Sequence, residues 1–210
     1  MIRRLFPIAA ALLAFACSAT TKPAPPQLTD AMYPWQLRSP AAFASDFVWQ
    51  QRLTSTANGE TRSLRVVLQK QSDRMVLVGL TPFGTKAFVL DQSGQDVHFE
   101  KFFDRSMPFP PRFMLIDIQR SYLPLGAVGQ GETRTELDGE EIVQVFADGH
   151  LVERRFRRLD AQPPGTITVQ YREFVAPGVP RHVHIDNRWF GYVLEVTTLE
   201  AKTLPATEPK

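Results

Sequence analysis

With one cysteine in 210 residues, no internal disulfide can hold this chain together. An excess of charge of either sign is also missing. The chain carries 24 basic and 22 acidic residues, and setting Arg3 and Arg4 aside leaves 22 against 22. That balance argues against a general nucleic-acid binder, which needs net or clustered positive charge to hold phosphates. Long apolar runs are absent too, since Leu5–Phe15 is too short to cross a bilayer as a helix. Signatures of catalysis are equally scarce. There is no Gly-x-Ser-x-Gly elbow, and Gly126, Gly129 and Gly131 lack the strand-to-helix context and the following Lys-Ser/Thr of a phosphate loop. Asp117 and Glu140-Glu141 form no evident acid/base pair. No catalytic residue, cofactor or metal is expected, and the chain is not read as an enzyme.

What is present begins with a secretory signal over residues 1–16. Arg3 and Arg4 form its positive region, Leu5–Phe15 its apolar core, and Ala14-Phe15-Ala16 a small-residue approach to cleavage. Cys17 follows at once, so lipid attachment explains its position best. The segment resembles a bacterial lipoprotein signal, although Ala14 stands where Leu is usual. With Ser18 rather than Asp after the cysteine, the resemblance implies the outer membrane, with the protein anchored by acyl chains and facing the periplasm. Each buried CH₂ of such an anchor contributes about 0.8 kcal/mol. Residues 17–30, rich in Pro, Thr and Ala, are expected to be an extended tether. Residues 31–200 form the domain, and 201–210 a polar, frayed tail.

The domain is organised around Met75–Leu90, which reads as a hairpin with Thr81-Pro82-Phe83-Gly84 at its turn. Pro82 and Gly84 are turn residues, but Phe83 is a large aromatic at a place that normally faces water. Such exposure calls for a partner, a membrane or a lid contact. On either side the chain is a series of short strands. Five fall between Phe47 and Glu100 and six between Thr133 and Thr198, separated by turn residues such as Gly59, Asp138-Gly139 and Asp148-Gly149. Met75–Leu80 is apolar on both faces and is expected to be covered on both sides. Between the two series, Arg112–Tyr122 places Met114, Leu115, Ile118 and Tyr122 at helical spacing, and Pro124 stops the helix. One or two short helices are expected between Asp30 and Ser45. The fold expected is mainly β (α+β): a single curled antiparallel sheet of about eleven strands, an incomplete β-barrel, with a covering helix. Met75, Leu77, Phe88, Met114, Leu115, Ile118 and Tyr122 are the candidate cavity and lid residues.

Two polar groupings need weighing. His182, His184 and Asp186 share one face of a strand whose other face, Val183 and Ile185, is buried, and a solvent-facing strand explains them better than a metal site. The run Arg154–Arg158 is divided between two faces and reads as a solvated edge beside Glu153 and Asp160, with contact to anionic headgroups as the lesser reading.

The run LVGLTPFGTKAFVL resembles the stretch around the protruding loop of LolB, the outer-membrane receptor for lipoproteins, in which Asn-Pro-Leu-Gly joins two similar strands. Pro180–Leu194 falls where LolB has its last hairpin and closing strand. The order of elements is similar to that of LolA and LolB. A nearer resemblance is to uncharacterised bacterial lipoproteins associated with aryl-polyene and fatty-acid-like biosynthesis clusters, where a GLTPFGT-type segment recurs. The resemblance implies an incomplete barrel with a hydrophobic cavity for acyl chains. It also matches Phe83 to the exposed Leu with which LolB passes cargo to the membrane. The implied function is non-covalent binding or transfer of an acyl lipid, a polyene lipid or lipoprotein acyl chains by a monomer. The alternative is a structural or adaptor lipoprotein that docks a partner in an envelope assembly.

Overall fold

The computed structural model describes residues 28–104, 109–126 and 129–205. The signal, Cys17, most of the tether and the last five residues lie outside the described residues. Two 3-10 turns, Asp30–Met32 and Pro40–Ala42, open the domain. Five strands follow: β1 (Phe47–Ala57), β2 (Glu60–Gln71), β3 (Arg74–Leu80), β4 (Lys86–Ser93) and β5 (Asp96–Lys101). After the helix α1 (Pro111–Tyr122) come β6 (Gly131–Leu137), β7 (Glu140–Ala147) and β8 (His150–Arg158). The last three are β9 (Ile167–Ala176), β10 (Val179–Asn187) and β11 (Tyr192–Thr203).

All eleven strands lie in one antiparallel sheet, in the order β5-β4-β3-β2-β1-β11-β10-β9-β8-β7-β6. Pairing of β1 with β11 joins the two halves, so β5 and β6 are the free edges of an unclosed sheet. A twisted sheet of this width curls, and the connection from β5 to β6 carries α1 across the concave side. Hairpin chemistry sets the register. Asn58-Gly59, Asp138-Gly139 and Asp148-Gly149 all have both residues at positive φ, as two-residue turns that match strand twist require.

Alternation along the strands defines the core. Val66 and Leu68, Met75 and Leu77, Phe88 and Leu90, Ile167 and Val169, and Val183 and Ile185 are buried on the concave face. Gly79 belongs to the same face because a Cβ there would lie 2.3 Å from the Phe88 ring. Pro111 starts α1, where its missing N–H costs no hydrogen bond.

Three expectations are corrected. β3 is covered on one face only: Val76, Val78 and Leu80 are half-buried on the convex side, where Val67, Val78 and Val89 stand opposite one another in register. Cross-strand packing within an antiparallel sheet accounts for those apolar residues without a second covering layer. β8 is no edge, since it pairs with both β7 and β9, and Arg154 points inward. β11 runs past residue 200, with Ala201–Thr203 paired to Phe47–Trp49, so the ordered chain extends into the expected tail.

Candidate functional site

Backbone and side-chain hydrogen bonds define the tip of the hairpin between β3 and β4. The Gly84 amide donates to the Thr81 carbonyl at 2.9 Å, and Gly84 has φ +80°, the arrangement of a three-residue loop ending in a left-handed glycine. Thr81 and Thr85 clamp its base, with their hydroxyls 2.7 Å apart and the Thr81 amide donating to the Thr85 carbonyl at 2.9 Å. Phe83 at the apex is 94% exposed. The tip leaves the sheet beside the end of an apolar floor. Leu80 pairs with Arg65, Arg65 with Arg52, and the next row towards the tip is Val196–Leu53–Leu64.

On the concave side, α1 is buried around most of its circumference, but Met114, Ile118 and Tyr122 form a half-buried stripe. Beneath that stripe lies a cleft floored by Leu53, Val66, Leu77, Ile185, Leu194 and Val196, with a free volume of about 50 Å³. A second cavity of about 350 Å³ opens at the carboxy-terminal end of α1, and Ser121 and Tyr122 belong to the walls of both. Tyr122 separates them, donated to by Gln51 Nε2 at 3.2 Å and set edge-on to Trp49 at 5.0 Å. Of the candidate residues, Leu77, Met114, Ile118 and Tyr122 line the cleft. Met75, Phe88 and Leu115 line neither cavity and are packed in the core. For those three, strand and helix periodicity marks burial but does not separate filled core from cavity wall.

The interior also holds a polar cluster that sequence reasoning missed. Asp117 accepts hydrogen bonds from the Tyr33 hydroxyl at 2.6 Å and the Tyr192 hydroxyl at 2.7 Å. Asn187 Nδ2 donates to the same two hydroxyls at 3.1 and 2.7 Å. One turn further along α1, Arg120 is bidentate to Glu140 at 2.7 and 2.8 Å, with its guanidinium 4.5–5.0 Å from the rings of Tyr33, Trp35, Phe156 and Trp189. Gln119 ties the same helix to the Arg38 backbone, donating to its carbonyl and accepting from its amide, both at 2.8 Å. α1 is therefore fixed by directed bonds on one side and left with an apolar stripe on the other. A signal for this existed: a helix with apolar residues on nearly every side is buried, so its Asp and Arg must be paired inside.

Burial raises the Asp117 carboxyl from 3.8 to about 6, against opposing bonds from Tyr33 and Tyr192 and the charge of Arg120. The folded state therefore holds this proton more tightly than the unfolded chain. The resulting stabilisation is complete below 3.8 and is lost as pH rises through about 6. Urea unfolding of wild type and Asp117→Asn across that range is expected to show wild type losing up to about 3 kcal/mol relative to the variant as pH rises. A difference that stays flat with pH would show that Asp117 does not titrate there.

His182 and His184 face outward as expected, above buried Val183 and Ile185. His184 Nδ1 lies 2.5 Å from Glu195, and among the described residues no group of three His, Cys, Asp or Glu is arranged to hold a metal. Arg155 and Arg157 are paired on the convex face with Glu132 and Glu141.

Residues 48–200 match a family described as a protein of unknown function, DUF3261. The chain belongs to the DUF3261 family. No curated protein matches it. Among solved structures, this DUF3261 chain is similar to a LolA superfamily protein from Nitrosomonas europaea, at 10% identity and a TM-score of 0.45, over 82% of this chain and 91% of that one. It is also similar to an outer-membrane lipoprotein-sorting protein domain from Vibrio parahaemolyticus, at 8% identity and 0.43, over 80% and 90%. A DUF1329 family protein from Desulfovibrio piger matches at 10% identity and 0.34, over 77% and 87%.

Proposed function

We propose that this DUF3261 protein is an outer-membrane lipoprotein, anchored through Cys17 and facing the periplasm. It would bind an acyl chain between α1 and the curled sheet without covalent chemistry. The observation that carries this reading is the Met114–Ile118–Tyr122 stripe, left half-buried over an apolar floor while the rest of α1 is buried. A helix that served only as core would seal that side as well. The cleft's 50 Å³ matches little more than one water's ~30 Å³ share of liquid volume, so loading requires α1 to lift from Leu77 and Val196. Each Å² of chain buried there contributes about 25 cal/mol. Phe83 would then be the contact with the membrane to which cargo is delivered or from which it is taken.

Trp49 reports entry, because it stands against Tyr122 at the junction of cleft and cavity. The full chain in phosphatidylcholine vesicles, titrated with a brominated fatty acid, is expected to show saturable quenching that Trp49→Phe removes. Quenching that Trp49→Phe leaves unchanged would contradict occupancy of this space. The narrowness of the cleft favours a second reading, an adaptor with a filled core that docks an envelope partner through the same hairpin.

A further inference from the structure

Three cations are buried among the described residues: Lys70, Arg120 and Arg154. Lys70 has Asp46 at 2.7 Å and Arg120 has Glu140 at 2.7 Å. Arg154, only 4% exposed, is held by neutral acceptors alone. Its Nε donates to Gln144 Oε1 at 2.9 Å, and its Nη1 to the Arg120 carbonyl at 2.9 Å and the Ser121 carbonyl at 3.5 Å. None of these bonds uses Nη2, and the nearby Tyr171 hydroxyl, which donates to the Ser121 carbonyl at 2.9 Å, is a further neutral neighbour of the guanidinium. A buried charge without a counter-ion is expensive to keep, which makes an anion from outside the chain a favourable addition.

A second observation lies in the same wall. Ser121 Oγ is buried with no hydrogen-bond partner among the described residues. Ser121 and Arg154 both line the 350 Å³ cavity at the end of α1, whose remaining wall includes Leu125, Phe146, Leu151 and Phe174. That volume is within the range of small-molecule pockets, and a few convergent polar groups in an apolar wall are what fixes a ligand's orientation.

The geometry points to a headgroup site: this cavity takes the anionic head of a single-chain lipid, a carboxylate or a phosphate. Arg154 Nη2 is the donor, the unpartnered Ser121 Oγ lies buried behind the same wall, and the chain starts against the apolar wall. The inference rests on the acyl-binding reading above and names the class of its cargo. Tyr122, common to both cavities, is where such a chain passes towards the cleft under α1.

The test is competition against a photoactivatable fatty acid, with the full chain in phosphatidylcholine vesicles at mildly alkaline pH and labelled peptides of α1 and β7–β9 quantified. Palmitate and hexadecyl phosphate are expected to compete about tenfold or more better than hexadecanol, the margin of one hydrogen bond to a charged group. Arg154→Gln should bring the three to near equality, and Arg154→Lys should retain most of the difference. The comparison of ligands on wild type is independent of whether either variant folds. Hexadecanol competing as well as palmitate on wild type would overturn the headgroup site and leave acyl binding standing. Butyrate or inorganic phosphate competing as well as palmitate would overturn the lipid form of the proposal. Absence of any labelling in those peptides would overturn both the site and the acyl-binding reading.

Discussion

Glutamate in place of Phe83 is expected to leave thermal stability unchanged and, under the proposed acyl-binding function, to abolish transfer of acylated cargo to vesicles. Phe83 is 94% exposed, so its removal vacates no core space, and surface changes of this kind stay within about 0.5 kcal/mol. The turn keeps its conformation because Pro82, Gly84 and the Thr81–Thr85 clamp are untouched. What changes is the solvent preference of the apex. Burying a phenylalanine in an apolar phase contributes roughly 1.5–3 kcal/mol, an order of ten- to a hundredfold in partition, and a carboxylate reverses the preference. Phe83→Leu should transfer nearly as wild type. Under the adaptor reading, Phe83→Glu would instead break a protein complex and leave vesicle contact alone. Normal transfer by Phe83→Glu, measured as movement of a fluorescent acyl cargo between vesicle populations, would remove the tip from the mechanism.

The largest loss of stability is expected from Glu140→Ala. Arg120 and Glu140 are 1% and 0% exposed as side chains, and their two bonds are of charge-assisted length. Burial raises the Glu140 carboxyl above its ordinary value, and the bonds from Arg120 oppose that shift. Removing the carboxylate leaves a guanidinium enclosed by four aromatic rings, whose faces attract it too weakly to replace the lost partner. Breaking one side of a buried pair costs about 3–5 kcal/mol, a large part of a typical domain's 5–15 kcal/mol. The double change Arg120→Met with Glu140→Leu should recover part of it, since the enclosed guanidinium goes with its partner while Asp117 loses the nearby charge of Arg120. Equal urea midpoints for wild type and Glu140→Ala would show that the pair contributes nothing.

Much of this architecture was legible in the residues. Asn-Gly and Asp-Gly turns divide the strands, and Thr81-Pro82-Phe83-Gly84 announces a hairpin with an apolar apex. Arg112–Tyr122, flanked by prolines and apolar at helical spacing, reads as an amphipathic helix, and α1 occupies it. The breadth of the apolar face hinted that Asp117 and Arg120 are paired inside, but their partners were not legible, because these are distant in sequence: Asp117 meets Tyr33 and Tyr192, and Arg120 meets Glu140 beside a turn. Periodicity assigns a residue to a face, and a polar residue on a helix is ordinarily assigned to solvent. The same limit explains Arg154, which is buried while Arg155 and Arg158 in the same basic run are half-buried and Arg157 is exposed. It explains Met75 and Phe88 as well, since an inward apolar residue in a filled core and one on a cavity wall carry the same pattern.

The most direct measurement is mass spectrometry of the lipids that remain with the full chain after extraction from its native membrane. A stoichiometric acyl lipid, beyond any chains attached at Cys17, is expected in complex with the wild-type protein and is expected to be depleted in a variant whose cleft is filled, such as Ile118→Trp. A protein recovered without any such lipid, and equally stable in both forms, would contradict acyl-chain binding.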